Sequence, residues 1–341
     1  MTVIALDAMG GDFAPRVPVQ AAVQAAREEG TELILVGEQD AIESALRRRR
    51  LDSSRIRIRH TSQAIAMDDP ATSLLRAKAE ASVRVAVELV ARGEAQAALS
   101  AGHSGAMMVA GKHVLRTLAG IDRPAIATPL PLRKGATVLL DSGANVDCKP
   151  HYLVQFAWMG EVYARTVLGL AEPRVGLLSN GGEPGKGNEL AREAFELLRA
   201  QPFRFVGNIE ARDLFKAKAD VIVTDGFSGN LALKAAEAAN DQVRMLTKEA
   251  IAVSPLARIG YWLMRGVYRD LERRKDYREI GGSLLLGVNG VVMICHGGSN
   301  ARALTNAIRA ARQCVESGLI ERMVRAFRER MPPTVSPAAR G

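Results

Sequence analysis

Short apolar runs alternate with helical patterns along most of the chain. Six runs lead into loops rich in Gly, Ser, Asn and Asp, and a helical pattern follows each loop. The six segments read VIALDAMGGD (Val3–Asp12), AALSAGHSG (Ala97–Gly105), TVLLDSGANVD (Thr137–Asp147), VGLLSNGGEPGKGN (Val175–Asn188), VIVTDGFSGN (Val221–Asn230) and GVVMICHGGSN (Gly290–Asn300). Buried strands that alternate with helices are typical of a parallel sheet covered on both faces. The pattern therefore predicts an α/β protein with a mostly parallel sheet.

The six loops hold the residues that are candidates for binding and catalysis. Loops that leave the carboxyl ends of parallel strands lie along one edge of an open α/β sheet, where ligands bind. We therefore predict that all six loops share one polar crevice. In VIVTDGFSGN, Ser228 is expected to cap the following helix, whose first N–H groups would face an anion.

The remaining pattern indicates how the chain is organised. Pro70–Arg92 reads as one long helix, and Arg55–His60 reads as an edge strand with alternating apolar and basic residues. No linker or fixed repeat separates the halves, so they are expected to share one sheet. We predict a single domain over residues 1–330, with a protruding amphipathic segment at 254–276. The Pro-rich residues 331–341 are predicted to form a flexible tail.

Composition narrows the class of protein. The chain has 341 residues, 48% of them hydrophobic, and no apolar run approaches the ~20 residues that cross a bilayer. The start of the chain lacks the features of a signal peptide, and three scattered cysteines suit a reducing cytosol. The five histidines show no ligand spacing, so we expect no metal.

The net charge of +9 favours acidic partners. Nucleic acid is disfavoured, because aromatic residues make up 4% of the chain and no nucleic-acid-binding motif is present. An anionic membrane, an acidic carrier protein and a merely solvated basic surface all fit the charge.

Two loops come close to familiar motifs but do not match them. GGEPGKGN has Lys186, but Asn180 and Gly187 occupy the first-glycine and hydroxyl positions of a P-loop. The loop suits a smaller anion such as phosphate, or Lys186 simply lies in solvent. Around Ser104, GHSGA lacks the spacing of a GxSxG nucleophile elbow. Cys148 and Cys295 carry no local mark of a lowered pKa, so covalent catalysis is disfavoured.

A basic amphipathic helix is predicted at Pro255–Lys275. Its apolar positions recur at helical spacing, with arginines on the other side and with Trp262 near the middle. Such a helix can lie in a membrane interface. It can equally pack on the protein or on a second copy.

Several long motifs resemble those of the PlsX family, the phosphate acyltransferases of bacterial phospholipid synthesis. They run in order from Ile4 to about Ala311 and include the Met67–Lys78 run (MxDxPxxxLRxK). The others are IALDAMGGD, SAGHSGA, LLDSGANVDCKP with QFAWMG, GNIEARD, DVIVTDGFSGN and LLGVNGVVMICHG. The chain departs from the family at His103–Ser104, where Asn–Thr is more usual. It also departs at Ser179–Gly182, where Asn–Ile–Gly–Glu is more usual.

The resemblance implies transfer of a fatty acyl group from acyl-[acyl-carrier protein] to inorganic phosphate, without a cofactor. The acyl phosphate would pass to a membrane glycerol-3-phosphate acyltransferase. The implied fold is a three-layer α/β/α sandwich like that of isopropylmalate dehydrogenases and phosphotransacetylases, usually as a homodimer. The implied location is cytoplasmic and peripherally membrane-associated, with membrane contact through Leu256, Ile259, Trp262 and Leu263.

Roles follow from the chemistry of the transfer. Phosphate is already a nucleophilic oxyanion and a thiolate departs readily, so the protein must chiefly position and stabilise charge. We expect Lys186 to hold phosphate, Asn230 to support the oxyanion, and His103 or His296 to protonate the sulfur. Further substrate-binding candidates are Asp7, Gly10, Gly11, Ser100, Gly102, Ser104, Asp141, Asn145, Asn188, Asp225, Gly226, Ser228 and Gly229.

Three other functions stay open on the sequence alone. They are a short-chain phosphotransacylase that uses acyl-CoA, a dehydrogenase of the same fold, and a non-catalytic basic membrane adaptor.

Overall fold

A computed structural model describes residues 2–28, 30–48, 54–132, 135–275 and 281–330. The predicted tail at 331–341 lies outside these residues. In chain order, the strands are β1 (Val3–Asp7), β2 (Glu32–Gly37), β3 (Ile56–His60), β4 (Ala97–Ser100), β5 (Ala125–Pro131), β6 (Ala136–Leu140), β7 (Arg174–Ser179), β8 (Arg204–Glu210), β9 (Val221–Val223), β10 (Ser283–Leu286) and β11 (Val291–Ile294). The helices are α1 (Arg16–Glu28), α2 (Gln39–Arg47), α3 (Ser82–Ala91), α4 (Ser104–Ala110), α5 (Pro150–Thr166), α6 (Glu189–Arg199), α7 (Gly226–Ala252), α8 (Pro255–Lys275), α9 (Ala301–Glu316) and α10 (Leu319–Arg330).

The described strands form one sheet of 11, in the order β3-β2-β1-β4-β11-β10-β5-β6-β9-β7-β8. Both halves of the chain contribute to it, as predicted, and β3 is an edge strand. Most neighbours are parallel, but β10 is antiparallel to both β11 and β5, and β5 is antiparallel to β6. The direction of the strands therefore reverses between β11 and β6. Two parallel blocks run in opposite directions on either side of the centre.

Helices cover both faces of the sheet, which confirms the three-layer α/β/α fold. One face packs on α1, α2, α5, α6, α9 and α10 through a large apolar core that spans both blocks. The other face packs on α3 and α4 over the first block and on the start of α7 over the second. The apolar runs form strands because burial on both faces rewards continuous hydrophobic sequence.

One predicted helix is wrong. Residues 70–92 do not form a single helix, because only a 3-10 turn (Ala71–Leu75) and α3 are helical there. Between them, the chain turns so that Ser82 donates its backbone N–H to the carbonyl of Gln63 (2.9 Å). Leu74 is thereby buried against the core, which a straight continuous helix would not allow. Tertiary packing overrode a good helical pattern here.

Candidate active site

The six loops leave the sheet as two groups that run in opposite directions. The loops after β1, β4 and β11 leave in one direction, and we call them the first-end loops. The loops after β6, β7 and β9 leave in the opposite direction, because the strands of that block run the other way, and we call them the second-end loops. The strand registers nevertheless align Leu6, Leu99 and Met293 with Leu140, Val223 and Leu177, so the carboxyl ends of both blocks lie at one level of the sheet. The shared crevice stays a prediction.

The first-end loops surround Asp7, the last residue of β1. Its buried carboxylate accepts hydrogen bonds from the Ser100 hydroxyl (2.7 Å) and the Met9 N–H (3.0 Å). Burial raises its pKa, and hydrogen bonds led by the one from Ser100 oppose that rise. A Cβ at Gly10 would lie 2.6 Å from the Asp7 carboxylate and 2.8 Å from the Gly102 nitrogen. Glycine is therefore needed where the two loops meet.

The β11 loop joins this group through the backbone. The Asp12 N–H donates to the Gly297 carbonyl (3.0 Å), and the Cys295 N–H donates to the Ser100 carbonyl (2.9 Å). Gly11 lies against the Ala101 and Gly297 carbonyls. His296 is exposed beside them, and its Nδ1 accepts the Gly298 N–H (3.1 Å). The structure thus brings together Asp7, Gly10, Gly11, Ser100, Gly102 and His296.

His103 is the N-cap of α4, next to the exposed Ser104. Its Nδ1 accepts the N–H of Ala106 (3.2 Å). When Nδ1 accepts, the ring hydrogen lies on Nε2. The predicted role of His103 as the proton source for the sulfur stays a prediction. In this arrangement the ring can donate a hydrogen bond through Nε2 to developing negative charge.

The second-end loops are organised by Asp141, which follows β6 and is fully buried. Its two carboxylate oxygens accept N–H groups from Ile126, Gly143, Ala144 and Asn145, and the Asn145 side-chain amide as well. Burial raises its pKa, and these donors oppose the rise. The carboxylate is used up in folding its own loop. Asp141 and Asn145 are therefore structural in this arrangement.

The start of α7 packs on that loop. Asp225, and not Ser228 as predicted, is its N-cap, because the Asp225 carboxylate accepts the Ser228 N–H (2.8 Å). The Gly226 N–H donates to the Asn145 carbonyl (2.7 Å). A Cβ at Gly229 would lie 1.9 Å from the Asp141 carbonyl oxygen.

Asn230 lies just beyond these contacts. Its side chain is partly buried, 3.7 Å from the position of a Cβ on Gly143. The amide group is thereby held against the loop that Asp141 folds.

Three hydroxyls that sequence analysis missed link the two ends. Thr128 in β5 lies 2.6 Å from the Ser142 hydroxyl and 2.7 Å from the Ser283 hydroxyl. Ser283 pairs with Ile294 in β11, next to the first-end loops. A buried hydroxyl in the apolar run AIATPLP was the available signal, because such a group needs a partner.

Lys186 lies in the second-end loop between β7 and α6. It is exposed and lines an open cavity of ≈ 580 Å³ with Glu183, Glu210 and Arg212, among others. Six strand positions separate β7 from β4, or roughly 29 Å at the usual spacing of strands. Asn188 is the exposed N-cap of α6 and accepts the Ala191 N–H (2.9 Å).

The surroundings of Cys148 and Cys295 disfavour a thiolate at either residue. Burial raises the pKa of Cys295 to about 12. Burial, and then the nearby Asp141 carboxylate, raise the pKa of Cys148 to about 12 as well. Neither thiol is ionised near neutral pH, so the expectation against covalent catalysis agrees with their surroundings.

The amphipathic segment forms the outer arm of a helical hairpin with α7. Its large apolar side chains are exposed, with Leu256 at 78% and Leu263 at 69%, and Ile259 and Trp262 are also exposed. Arg265 lies 5.6 Å from the Trp262 ring. The apolar side therefore does not pack on the chain's own sheet. Among the described residues, no helix has the length and apolarity to span a membrane.

Comparisons with known proteins agree with this fold. A phosphotransacetylase from Streptococcus pyogenes superposes with a TM-score of 0.61 at 18% identity, covering 92% of this chain and 94% of that one. A branched-chain phosphotransacylase from Enterococcus faecalis V583 gives 0.58 at 17% identity, covering 92% and 99%. At such low identity these matches show the fold alone, and they confirm the predicted likeness to phosphotransacetylases.

Relatives found by sequence are much more similar to this chain than the solved structures are. A phosphate acyltransferase of Geobacter sulfurreducens is 49% identical over 320 residues, which is 94% of this chain and 92% of that protein. A phosphate acyltransferase of Pelobacter propionicus is 49% identical over 326 residues, covering 96% and 94%. The family model described as fatty acid synthesis protein matches residues 2–322. The chain therefore belongs to this family, the PlsX family, and is an acyltransferase.

Proposed function

We propose that the chain transfers a fatty acyl group from acyl-[acyl-carrier protein] to inorganic phosphate, forming acyl phosphate for phospholipid synthesis. The observation that carries the proposal is 49% identity to named phosphate acyltransferases over more than nine-tenths of both chains. The glycine-rich first-end loops support it, because backbone N–H groups can bind an oxyanion without a metal. Residues 1–330 act as one catalytic domain in this proposal.

The reaction forms one bond and breaks one. A phosphate oxygen attacks the thioester carbonyl carbon, and the carbonyl oxygen becomes an oxyanion. The C–S bond then breaks, and the electron pair leaves on sulfur as a thiolate. A thiol has a pKa near ~8.5, so the thiolate departs without a strong acid. What remains for the protein is positioning and stabilisation of charge.

The first-end loops are proposed to hold the reacting groups. His103 donates its Nε2 hydrogen to the charge that develops on the substrate, and Gly10, Gly11, Gly102 and Ser104 border the same space. Asp7 supports these loops through Ser100. Asn230, Gly226 and Gly229 support the second-end loops, which connect to the first end through the Thr128 hydroxyl.

The donor is proposed to be a carrier-protein thioester and not a CoA thioester. The net charge of +9 favours docking of an acidic protein. Rates with acyl-[acyl-carrier protein] and with acyl-CoA of equal chain length test this choice. A higher kcat/KM for acyl-CoA, most of all with short chains, would identify the chain as a short-chain phosphotransacylase.

Trapping of acyl phosphate tests the reaction itself. Purified protein is incubated with phosphate, an acyl-carrier thioester and hydroxylamine, which converts acyl phosphate to a hydroxamate. We expect hydroxamate that depends on both phosphate and protein, with release of one thiol per hydroxamate. Binding to anionic vesicles without any hydroxamate would support a membrane adaptor instead.

We further propose that the protein is cytoplasmic and binds anionic membrane surfaces through Leu256, Ile259, Trp262 and Leu263. Leu256, Ile259 and Leu263 lie on one exposed side of α8, and Arg258 and Arg265 lie on another. Trp262 lies between the two sides, with Arg265 5.6 Å from its ring. Flotation with phosphatidylglycerol vesicles should recover the protein, and a Leu256→Ser/Leu263→Ser variant should float less. Leu197→Ser is the matched control, because Leu197 is an exposed leucine on α6.

A homodimer is proposed because α7 also exposes Val243, Met245 and Leu246. Soluble monomers rarely expose large contiguous apolar patches. Sedimentation should give twice the chain mass. The acyl phosphate would then pass to a membrane glycerol-3-phosphate acyltransferase, and addition of that enzyme should consume it.

A further inference from the structure

The segment between β3 and α3 runs beside His103. A Cβ at Gly105 would lie 2.9 Å from His103 Cε1 and 3.3 Å from the Ala71 methyl group, so these two side chains border the same spot. Leu74, on the same 3-10 turn as Ala71, is buried in one core with Met107 of α4. The segment is therefore fixed against the start of α4.

This segment carries an ion pair. Lys78 Nζ lies 2.5 Å from Asp69 Oδ2, and Asp69 also accepts the Ala66 N–H (2.6 Å). The Lys78 side chain is 34% exposed, so its ammonium is reachable from solvent. The Lys78 hydrogen bond lowers the pKa of Asp69, followed by the Ala66 bond, and the His103 ring makes a smaller contribution. Asp69 thus lies within electrostatic reach of His103.

Lys186, the lysine that the sequence suggested for phosphate, lies in a different environment. It is exposed at the second end, in a cavity that it shares with Glu183, Glu210 and Arg212, and Arg212 is paired with Glu210 (2.7 Å). Lys78 lies on the segment at the first end. Among the described residues, it forms an ion pair with one carboxylate, that of Asp69. An ammonium has three donors, so Lys78 can keep one bond to Asp69 and give others to a phosphate oxygen.

We infer that Lys78 is the cation that binds inorganic phosphate beside His103, with Asp69 as its counter-ion. The inference rests on the proposed function and adds a substrate-binding residue to it. Lys78 positions the attacking oxyanion, while the Nε2 hydrogen of His103 faces the charge that develops during attack. Asp69 holds the ammonium in place and limits its affinity for phosphate.

Kinetics with four variants test the inference. Lys78→Met should raise the KM for phosphate roughly tenfold to a hundredfold, because it removes a charge-assisted contact. Its KM for the acyl donor should change much less, and Lys78→Arg should restore part of the phosphate affinity. Asp69→Asn should leave the phosphate KM unchanged or lower it. Lys218→Met is the matched control, because Lys218 is paired with Asp213 (2.8 Å) in the second half and should have no effect.

Two results would overturn it. One is an unchanged phosphate KM in Lys78→Met. The other is an equal rise in Lys78→Met and Asp69→Asn with a lowered Tm in both, which marks a structural ion pair. Calorimetric titration with phosphate alone separates this from failure of the proposed function. Phosphate binding that is lost in Lys78→Met supports the site even if no acyl phosphate is formed.

Discussion

The two ends of the sheet carry similar sequence and use it differently. At each end a buried aspartate lies at the carboxyl end of a strand and precedes a glycine-rich loop. Asp7 is the last residue of β1, and Asp141 follows β6 directly. Asp141 accepts N–H groups from four residues and an amide from Asn145, so its oxygens are used up in folding the loop. Asp7 joins loops from β1 and β4 beside His103. The same pattern thus forms a hydrogen-bonded structural loop around Asp141 at one end and borders a candidate site at the other.

The largest effect is expected where a substitution disrupts the packing of α7 on the Asp141 loop at the second end. Gly229→Ala places a methyl group 1.9 Å from the Asp141 carbonyl oxygen. We expect the free energy of unfolding to fall by about 3 kcal/mol or more, since the backbone must move. Urea unfolding measures the change. Gly260→Ala in α8 is the control, because nothing lies within 4 Å there, and it should favour the helix by roughly 1 kcal/mol.

Removal of the Asp141 carboxylate should lower the free energy of unfolding slightly less than Gly229→Ala does. Asp141→Ala leaves several buried N–H groups without their acceptor, so we expect a loss of about 2–3 kcal/mol in unfolding free energy. Asp225→Ala removes a single helix cap and should lose about 1 kcal/mol. Equal losses in the two variants would contradict the assignment of Asp141 as the organising group.

The first end should respond in activity and not in stability. His103→Asn keeps a side-chain oxygen that can cap α4 but removes the Nε2 donor. We expect kcat for acyl phosphate formation to fall roughly a hundredfold, with little change in Tm. His296→Asn serves as the comparison, since His296 is exposed and its Nδ1 also accepts a backbone N–H. A loss of stability equal to the loss of activity would mean that His103 acts only as a cap.

The smallest expected effect concerns pH. Burial raises the pKa of Asp7 above its usual 3.8, so ionisation is costlier in the folded chain than in the unfolded one. Stability from the protonated carboxyl is present below pH 3.8 and is lost as the pH rises through the raised value. Relative to Asp7→Asn, which does not ionise, the parent should therefore lose stability above pH 3.8. Urea unfolding of both proteins at several pH values measures the difference, and a constant difference would contradict the burial argument.

Sequence patterns predicted most helices and strands, but not the directions in which the loops leave the sheet. Pro255–Lys275 forms a helix with the predicted bounds, because amphipathic spacing is a local signal. The sequence did not show that the six loops leave in two directions, because loop sequence does not tell which way a strand runs. Ser228 was misassigned because the helix begins earlier, so that the Ser228 N–H is itself the donor that Asp225 caps.

By itself, the sequence determined the α/β class, the family and the amphipathic hairpin helix, since each depends on periodicity or on long motifs read in order. Only the tertiary structure decided which loops meet, because three antiparallel pairings at the centre of the sheet reverse the second block. It also placed the segment that carries Lys78 beside His103, through Ala71. That contact is set by the packing of a turn on α4, and no spacing in the chain encodes it.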